Sequence, residues 1–192
     1  MKIIGIGGCG TALVNEAIRS GIPEHLCIAV DTDLETLKFC SAKDKFQIGQ
    51  TTTNGLGTGC SSERGAKAAS ESLHQIESII SGCDKIIILS SIGGGTGSSL
   101  LSVLVELCQR YNIHFQAIAV MPFEGEGSTR KSVAENATET LRSHLRQVTM
   151  LNNDDVHKIT RKGLSGDVFR HINEHIVNKS LKQLEIYTSI ME

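Results

Sequence analysis

The chain has 192 residues, with 19 basic and 21 acidic side chains and a net charge of −2 at pH 7. That length suits one domain of about 100–200 residues, able to bury a core without disulfide staples. The charge balance offers no basic excess for nucleic-acid phosphates, and no apolar run approaches the roughly 18–20 residues of a membrane span.

In chain order, strands and helices alternate. Lys2–Ile6 is an apolar strand, and Gly10–Ser20 follows with helical spacing through Leu13, Val14, Ala17 and Ile18. Leu26–Val30 is a second strand. Asp33–Phe39 is a short helix with Asp33 as its N-cap, and Phe46–Ile48 is a third strand. Gln50–Cys60 is too rich in glycine for a regular element. Ser61–Ser81 has the pattern of one long helix, capped by Ser62, with Ala66, Ala69, Leu73, Ile76 and Ile80 inward. Asp84–Leu89 is a strand buried on both faces. Gly97–Tyr111 is a helix with Leu100, Leu101, Leu104, Val105 and Cys108 inward, and His114–Met121 is a strand. Ser128–Arg146 is a polar helix, Gln147–Leu151 a strand and Asp154–Thr160 a short helix. Asp167–Ile190 is the last helix, with Phe169, Ile172, Ile176, Leu181 and Leu184 as inner positions. This order predicts an α/β fold, a doubly wound and mostly parallel sheet with helices on both faces. Ligands in such folds bind outside the carboxyl ends of the strands.

Glycine is 19 of the residues while proline is only 2, and the glycines cluster at those strand ends. Gly5-Ile6-Gly7-Gly8-Cys9-Gly10 follows the first strand, opens the first helix and spells G-x-G-x-x-G. Asp31 ends the next strand. Together these spell the dinucleotide fingerprint with its acidic ribose partner. The same cluster also suits a tight strand–helix turn without a ligand. A second cluster, Ser90-Ser91-Ile92-Gly93-Gly94-Gly95-Thr96-Gly97-Ser98-Ser99, follows the fourth strand. A glycine nest at a helix N-terminus is an anion cradle, and two cradles could hold one triphosphate from two sides. No G-x-x-x-x-G-K-[ST] occurs, so neutralisation falls to backbone N–H groups, helix dipoles and a cation.

Gly93-Gly94-Gly95-Thr96-Gly97-Ser98 resembles the signature loop of the tubulin/FtsZ GTPase family. Further segments match FtsZ in order: Ile4 to Gly8, Ala29 to Asp33, Gln47 to Gly49, Gly55 to Gly59, Pro122-Phe123, Glu126-Gly127, Arg130 and Asn153-Asp154. The resemblance spans about residues 2–188. It implies a nucleotide-binding domain over 1–188 and a tail over 189–192, without the family's second domain. It implies GTP or GDP as ligand, with Mg2+. It assigns Gly7, Gly8, Cys9 and Gly10 to the first phosphate loop. Asp31 lies near the nucleotide, and Gly57, Thr58 and Gly59 form the loop that senses the γ-phosphate. Gly93, Gly94, Gly95, Thr96 and Gly97 hold the β- and γ-phosphates. Glu126 and Arg130 contact ribose and phosphate, Asn153 lies near the base, and Phe169 packs against guanine. Glu174, beside Asn173, is the best match to the base-reading acid.

The chain departs from the pattern at several places. Ala12 stands where an asparagine helps hold base and sugar, Ser99 where the signature ends in glycine, and Asn152 where a proline precedes Asn-Asp. The acidic N-x-D-x-x-D loop, which in the family enters the next subunit's site, is not spelled before Glu192. Filament-linked hydrolysis would then need that loop from another chain or from a continuation of this one. Alternatively, the chain is a one-domain nucleotide-binding regulator or scaffold without significant hydrolysis. An NAD-binding Rossmann protein is the minor alternative. Self-association or a full-length FtsZ-like partner is expected, with no nucleic acid, no membrane insertion and a cytoplasmic location.

The six cysteines form no C-x-x-C pair and read as reduced thiols. Cys9 is either a small filler or a reactive thiol at a helix N-terminus. His171 and His175 have the i, i+4 spacing of zinc ligands but no third ligand, and read as a surface or satisfied pair.

Overall fold

The computed structural model of this chain describes residues 1–160 and 168–183. Among them six strands, β1 (Lys2–Ile6), β2 (Cys27–Asp31), β3 (Asp44–Gln47), β4 (Lys85–Ser91), β5 (His114–Met121) and β6 (Val148–Asn152), form one sheet. Its order is β3-β2-β1-β4-β5-β6, and every neighbouring pair is parallel. The doubly wound α/β fold expected from the alternation is the one observed.

The strands' β-branched runs serve both faces at once, as central parallel strands require. Ile86 and Ile88 of β4 join one core with Ile4, Ile6, Ile28 and Val30. Ile87 and Leu89 join the other with Ile3, Ala29, Ile118 and Val120. Each such side chain taken fully out of water stabilises the fold by about 1.5–3 kcal/mol. The first face is covered by α4 (Ser62–Glu71), α5 (Leu73–Ile80), α6 (Gly95–Arg110) and α7 (Ser128–Thr140), through Ala69, Ile76, Leu100, Leu104 and Ala134. The second is covered by α1 (Gly7–Arg19), α2 (Leu34–Lys38), α8 (Asn153–Thr160) and α9 (Val168–Gln183), through Leu13, Val14, Leu37, Val156, Ile172 and Ile176.

The expected elements differ from these in six respects. The helices expected from Gly10 and Gly97 begin earlier, at Gly7 and Gly95, so the glycine clusters form their first turns. The single helix expected over Ser61–Ser81 is two. Ser72 separates them, and its hydroxyl accepts from the Gly49 N–H at 2.8 Å. The cap is Ser61 rather than Ser62, accepting from the Arg64 N–H. Ala66 and Leu73 are exposed, because α4 turns Gly65, Ala68 and Ala69 inward. A Cβ on Gly65 would lie 2.2 Å from the Gly95 carbonyl oxygen, so α4 and α6 approach at a contact only glycine allows.

Within the stretch expected to be irregular, Gln50–Thr53 forms a short helix, α3. Its first N–H groups find an acceptor far along the chain. The Glu71 carboxylate takes the Thr51 and Thr52 N–H groups at 2.8 and 2.9 Å, and the Thr52 hydroxyl at 2.7 Å. The polar helix expected to Arg146 ends at Thr140 and continues as a 3-10 turn over Arg142–His144. Expectations for Leu181, Leu184 and the tail over 189–192 fall outside the described side chains.

Candidate functional site

The chain's connections reverse direction between β1 and β4. A ligand crevice is expected there, beyond the carboxyl ends of the strands. α1 leaves β1 and α6 leaves β4 at this point, and both helices start on glycines. Ile6 and Gly94 are their N-caps, and neither supplies a side-chain cap hydrogen bond. Neither first turn holds an acidic residue. The free N–H groups and positive dipole ends of two helices therefore remain unneutralised by side chains.

The glycines divide into two kinds. Gly10 is needed for packing, since its Cβ would meet the Leu89 carbonyl oxygen at 2.2 Å. Gly95 would meet the Ser61 carbonyl oxygen at 2.3 Å and Gly97 that of Ser91 at 2.3 Å. Gly7 and Gly93 have φ of 68° and 112°, which disfavours any side chain. At Gly7 the missing side chain faces the Gly97 backbone nitrogen at 3.4 Å, so the two glycine loops touch. Gly8 and Gly94 are different: a Cβ at either would meet nothing within 4 Å. No protein atom there requires glycine.

A cavity of about 340 Å³ opens beside these loops. Gly8, Cys9 and Ala12 of α1 line one side, and Ser91 and Ile92 continue from β4. Val120, Met121 and Pro122 follow from β5, with Glu126 and Arg130 beyond them. Asn153, Ile172 and Asn173 close the far side. A larger groove of about 540 Å³ lies at the opposite end of the sheet, around Glu77, Asp84 and Tyr111. No glycine-opened helix N-terminus points into it.

On the phosphate side, Thr96 in the first turn of α6 is buried. Its Oγ1 lies 2.7 Å from Thr32 Oγ1 and 3.4 Å from Thr58 Oγ1. The loop over residues 55–60 thus brings Thr58 to the second glycine cluster. Gly57 and Gly59 do not line the cavity. A Cβ added at Gly57 would lie 3.5 Å from the Asp33 Cβ, and Asp33 caps α2 through the Glu35 and Thr36 N–H groups, as expected. Asp31 is buried at the end of β2, outside the cavity lining. Its Oδ1 accepts from the Thr32 and Asp33 N–H groups, while Oδ2 has no hydrogen-bond partner. Burial pushes its carboxyl up to about 6, against the lowering effect of those two backbone donors. A carboxylate so enclosed is poorly placed to meet the ribose that the dinucleotide fingerprint demands.

On the far side, Glu126 Oε1 accepts from the Phe123 N–H at 2.9 Å, and Oε2 lies 3.5 Å from Arg130 Nε. Asn153 starts α8, and its buried Oδ1 has no hydrogen-bond partner. Asp154 ties the same corner by accepting from the Glu124 N–H at 3.0 Å. The last helix presents Asn173 to the cavity, and not its neighbour Glu174. One residue along a helix is about 100° of rotation, and Glu174 instead accepts from Arg170 Nε at 3.1 Å. The side chain of Phe169 lies outside those described. Cys9 lines the wall, and burial pushes its thiol up to about 11. At neutral pH it is a protonated filler, not a thiolate nucleophile.

Among the described residues no three His, Cys, Asp or Glu side chains converge on a metal position. The arrangement fits a cation held mainly by phosphate oxygens. Mg2+ commonly takes one or two carboxylates plus substrate phosphates, and Asp31 Oδ2 is one unpartnered carboxylate oxygen beside the phosphate loops. The motifs gave Thr32 no role, named Ser91 and Ile92 only as the lead-in to the second glycine cluster, and Ile172 only as an inner helix position. Thr32 sits within the segment Ala29 to Asp33, but a lone threonine after a strand carries no pattern. That Ser91, Ile92 and Ile172 border a cavity only the fold reveals.

Comparison with known proteins agrees with this geometry. The family model described as Tubulin/FtsZ family, GTPase domain, matches residues 1–161. An empty FtsZ dimer from M. jannaschii matches with 27% identity and a TM-score of 0.85, covering 96% of this chain and 54% of that one. CetZ1 from Haloferax volcanii, a GDP-bound monomer, matches with 26% identity and a TM-score of 0.77, over 93% and 58% of the two chains. CetZ2 from the same organism, in a GTPγS-bound protofilament, shares the fold at 23% identity and a TM-score of 0.80, over 96% and 58%. The present chain spans a little over half the length of these structures. With its family match covering most of its length, the chain belongs to the Tubulin/FtsZ family, whose GTPase domain it carries.

Proposed function

We infer that this chain binds GTP or GDP in the cavity between α1, the ends of β4 and β5, and α9, as the nucleotide-binding domain of an FtsZ-like filament protein, over residues 1–188. One observation carries the reading. Two helix N-termini without side-chain caps, opened by glycines, meet at the switch point of the sheet, beside a cavity lined by Gly8 and Cys9 of α1 and by Ser91 and Ile92 ahead of α6. A lone dinucleotide pyrophosphate needs one such terminus, whereas a polyphosphate can use both.

The roles follow from position. Backbone N–H groups from Gly7 to Gly10 and from Gly94 to Gly97 take the phosphates, where Gly8 and Gly94 leave room for close approach, while the Gly93 N–H is held by Ser98 Oγ. Thr96 adds its hydroxyl, and the loop bearing Gly57, Thr58 and Gly59 stands behind it. Glu126 and Arg130 hold the sugar and its nearest phosphate. Asn153 and Asn173 supply carboxamides to the base, a task that the resemblance assigned to Glu174. Mg2+ held by the phosphate oxygens would neutralise charge on the β- and γ-phosphates.

Hydrolysis needs a group that positions water. Among the described lining residues the one carboxylate is Glu126, and it is bonded to Phe123 N–H and paired with Arg130. The reading therefore places the water-positioning acid on another chain, so that turnover follows self-association into filaments. The protofilament of CetZ2 is the assembly type it resembles. No helix among the described residues is long and apolar enough to cross a membrane, and a cytoplasmic location accompanies the family reading.

Isothermal titration with GTP, GDP, ATP and NAD tests it, followed by phosphate release at increasing protein concentration. Binding of both guanine nucleotides, with turnover negligible in dilute protein, is the expected result. Binding of NAD without GTP would overturn the reading.

A further inference from the structure

We propose that Thr32 is a positioning residue for the phosphate-binding hydroxyl of Thr96. This rests on the nucleotide reading above and goes beyond it by naming a residue that touches no ligand.

Thr32 is fully buried, at the end of β2. Its Oγ1 lies 2.7 Å from Thr96 Oγ1, a contact that ties the β2 end to the first turn of α6 across 64 positions of sequence. A buried side chain of this shape that only filled space could be valine at no polar cost. The hydroxyl is satisfied by the Thr96 hydroxyl.

Thr32 is itself held firmly. Its N–H donates to Asp31 Oδ1 at 2.7 Å, and its carbonyl, 3.2 Å from Thr53 Oγ1, shares that hydroxyl's one proton with the Gly49 carbonyl. Thr53 is anchored in turn through Gly49, whose carbonyl oxygen is 2.9 Å from the same hydroxyl. Three loops meet at Thr96, since Thr58 Oγ1 also comes within 3.4 Å. The Thr32 contact is much the shorter of the two.

A hydroxyl donates one proton and accepts on its lone pairs. Without an anion, either hydroxyl can donate to the other, and Thr96 can spend its proton on Thr32. When a phosphate arrives, the Thr96 proton turns outward to it, and Thr32 donates to the Thr96 oxygen left behind. That bond polarises the Thr96 hydroxyl and fixes its rotamer, so the phosphate meets an oriented donor. No covalent bond changes; only hydrogen-bond direction does.

The test is GTP and guanosine affinity of the full chain for Thr32→Val, Thr32→Ser and Thr96→Val, and for the double variant Thr32→Val/Thr96→Val. Thr32→Val should weaken GTP binding about tenfold, the scale of one hydrogen bond to a charged group's donor. It should leave guanosine affinity unchanged, because guanosine has no phosphate. Thr32→Ser should bind GTP nearly as wild type, and the double variant no more weakly than Thr96→Val alone. If Thr32→Val fails to fold, Thr32→Ala against Thr32→Ser isolates the hydroxyl, because both lose the same methyl. The role is overturned if wild type binds GTP and Thr32→Val, or Thr32→Ala, binds it equally well. Equal weakening by serine and the hydroxyl-free variants also overturns it, as does additive loss in the double variant. If wild type binds no GTP, the nucleotide reading itself falls, and this role falls with it.

Discussion

On the phosphate side of the proposed site the groups offered to a ligand are backbone, from two glycine-opened helices, with the buried Thr96 hydroxyl beside them. On the base side they are side chains, the carboxamides of Asn153 and Asn173 and aliphatic carbons of Ala12 and Ile172. Backbone donors require a particular chain path, so substitution there acts through space and φ. Side-chain donors can be exchanged one at a time without disturbing the sheet. The first side is therefore constrained by folding and binding together, and the second by binding alone.

The largest effect expected breaks that comparison at its structural extreme. Gly10→Ala puts a Cβ 2.2 Å from the Leu89 carbonyl oxygen and 2.9 Å from the Gly5 carbonyl carbon. Backbone on both sides cannot move aside cheaply, and a loss of about 3 kcal/mol or more is expected in denaturant unfolding, with or without nucleotide. Asp31 comes next. Its folded carboxyl titrates at about 6 against an ordinary 3.8, so the folded state holds that proton more tightly than the unfolded chain does. Stability from this group is present at low pH and is lost as pH rises from about 4 through 6. Asp31→Asn should then stabilise nucleotide-free protein at pH 7 by about 2–3 kcal/mol, with the gain vanishing near pH 4, as chemical unfolding at the two pH values would register.

Gly8→Ala and Gly94→Ala sharpen the contrast, because nothing in the protein lies within 4 Å of the added methyl. Gly8→Ala should leave the empty protein as stable as wild type, or up to about 1 kcal/mol more so, through helix propensity. GTP affinity should nevertheless fall about tenfold in each, from loss of close backbone approach at a charged ligand. Smallest is the base side. Asn173→Ala should reduce the GTP-over-ATP preference about threefold to tenfold, whereas Glu174→Ala should leave it unchanged. Competition titration measures both.

The same contrast explains what was legible in the sequence. The strands and the two glycine clusters could be read because β-rich runs and repeated glycines are local patterns with a single physical use. The Gln50–Thr53 helix could not, since its stabilising acceptor is Glu71, about 20 residues away. The break at Ser72 was hidden for the same reason, its hydroxyl being taken by Gly49. Glycines that face open space and glycines that face backbone look alike in a motif, so the separate tasks of Gly8 and Gly10 appeared only in three dimensions. The base side was least legible. Whether Asn173 or Glu174 meets the ligand depends on the rotation of one helix, which packing of Ile172 and Ile176 sets. That packing leaves no trace in residue spacing at the resolution of a single position.

The most direct measurement is a crystal structure of the chain with GDP and Mg2+. The account predicts diphosphate density between Gly8 and the Gly94–Thr96 turn, with the base against Asn173. Density in the groove by Glu77 and Tyr111, or a nucleotide whose phosphates lie away from both helix N-termini, would contradict it.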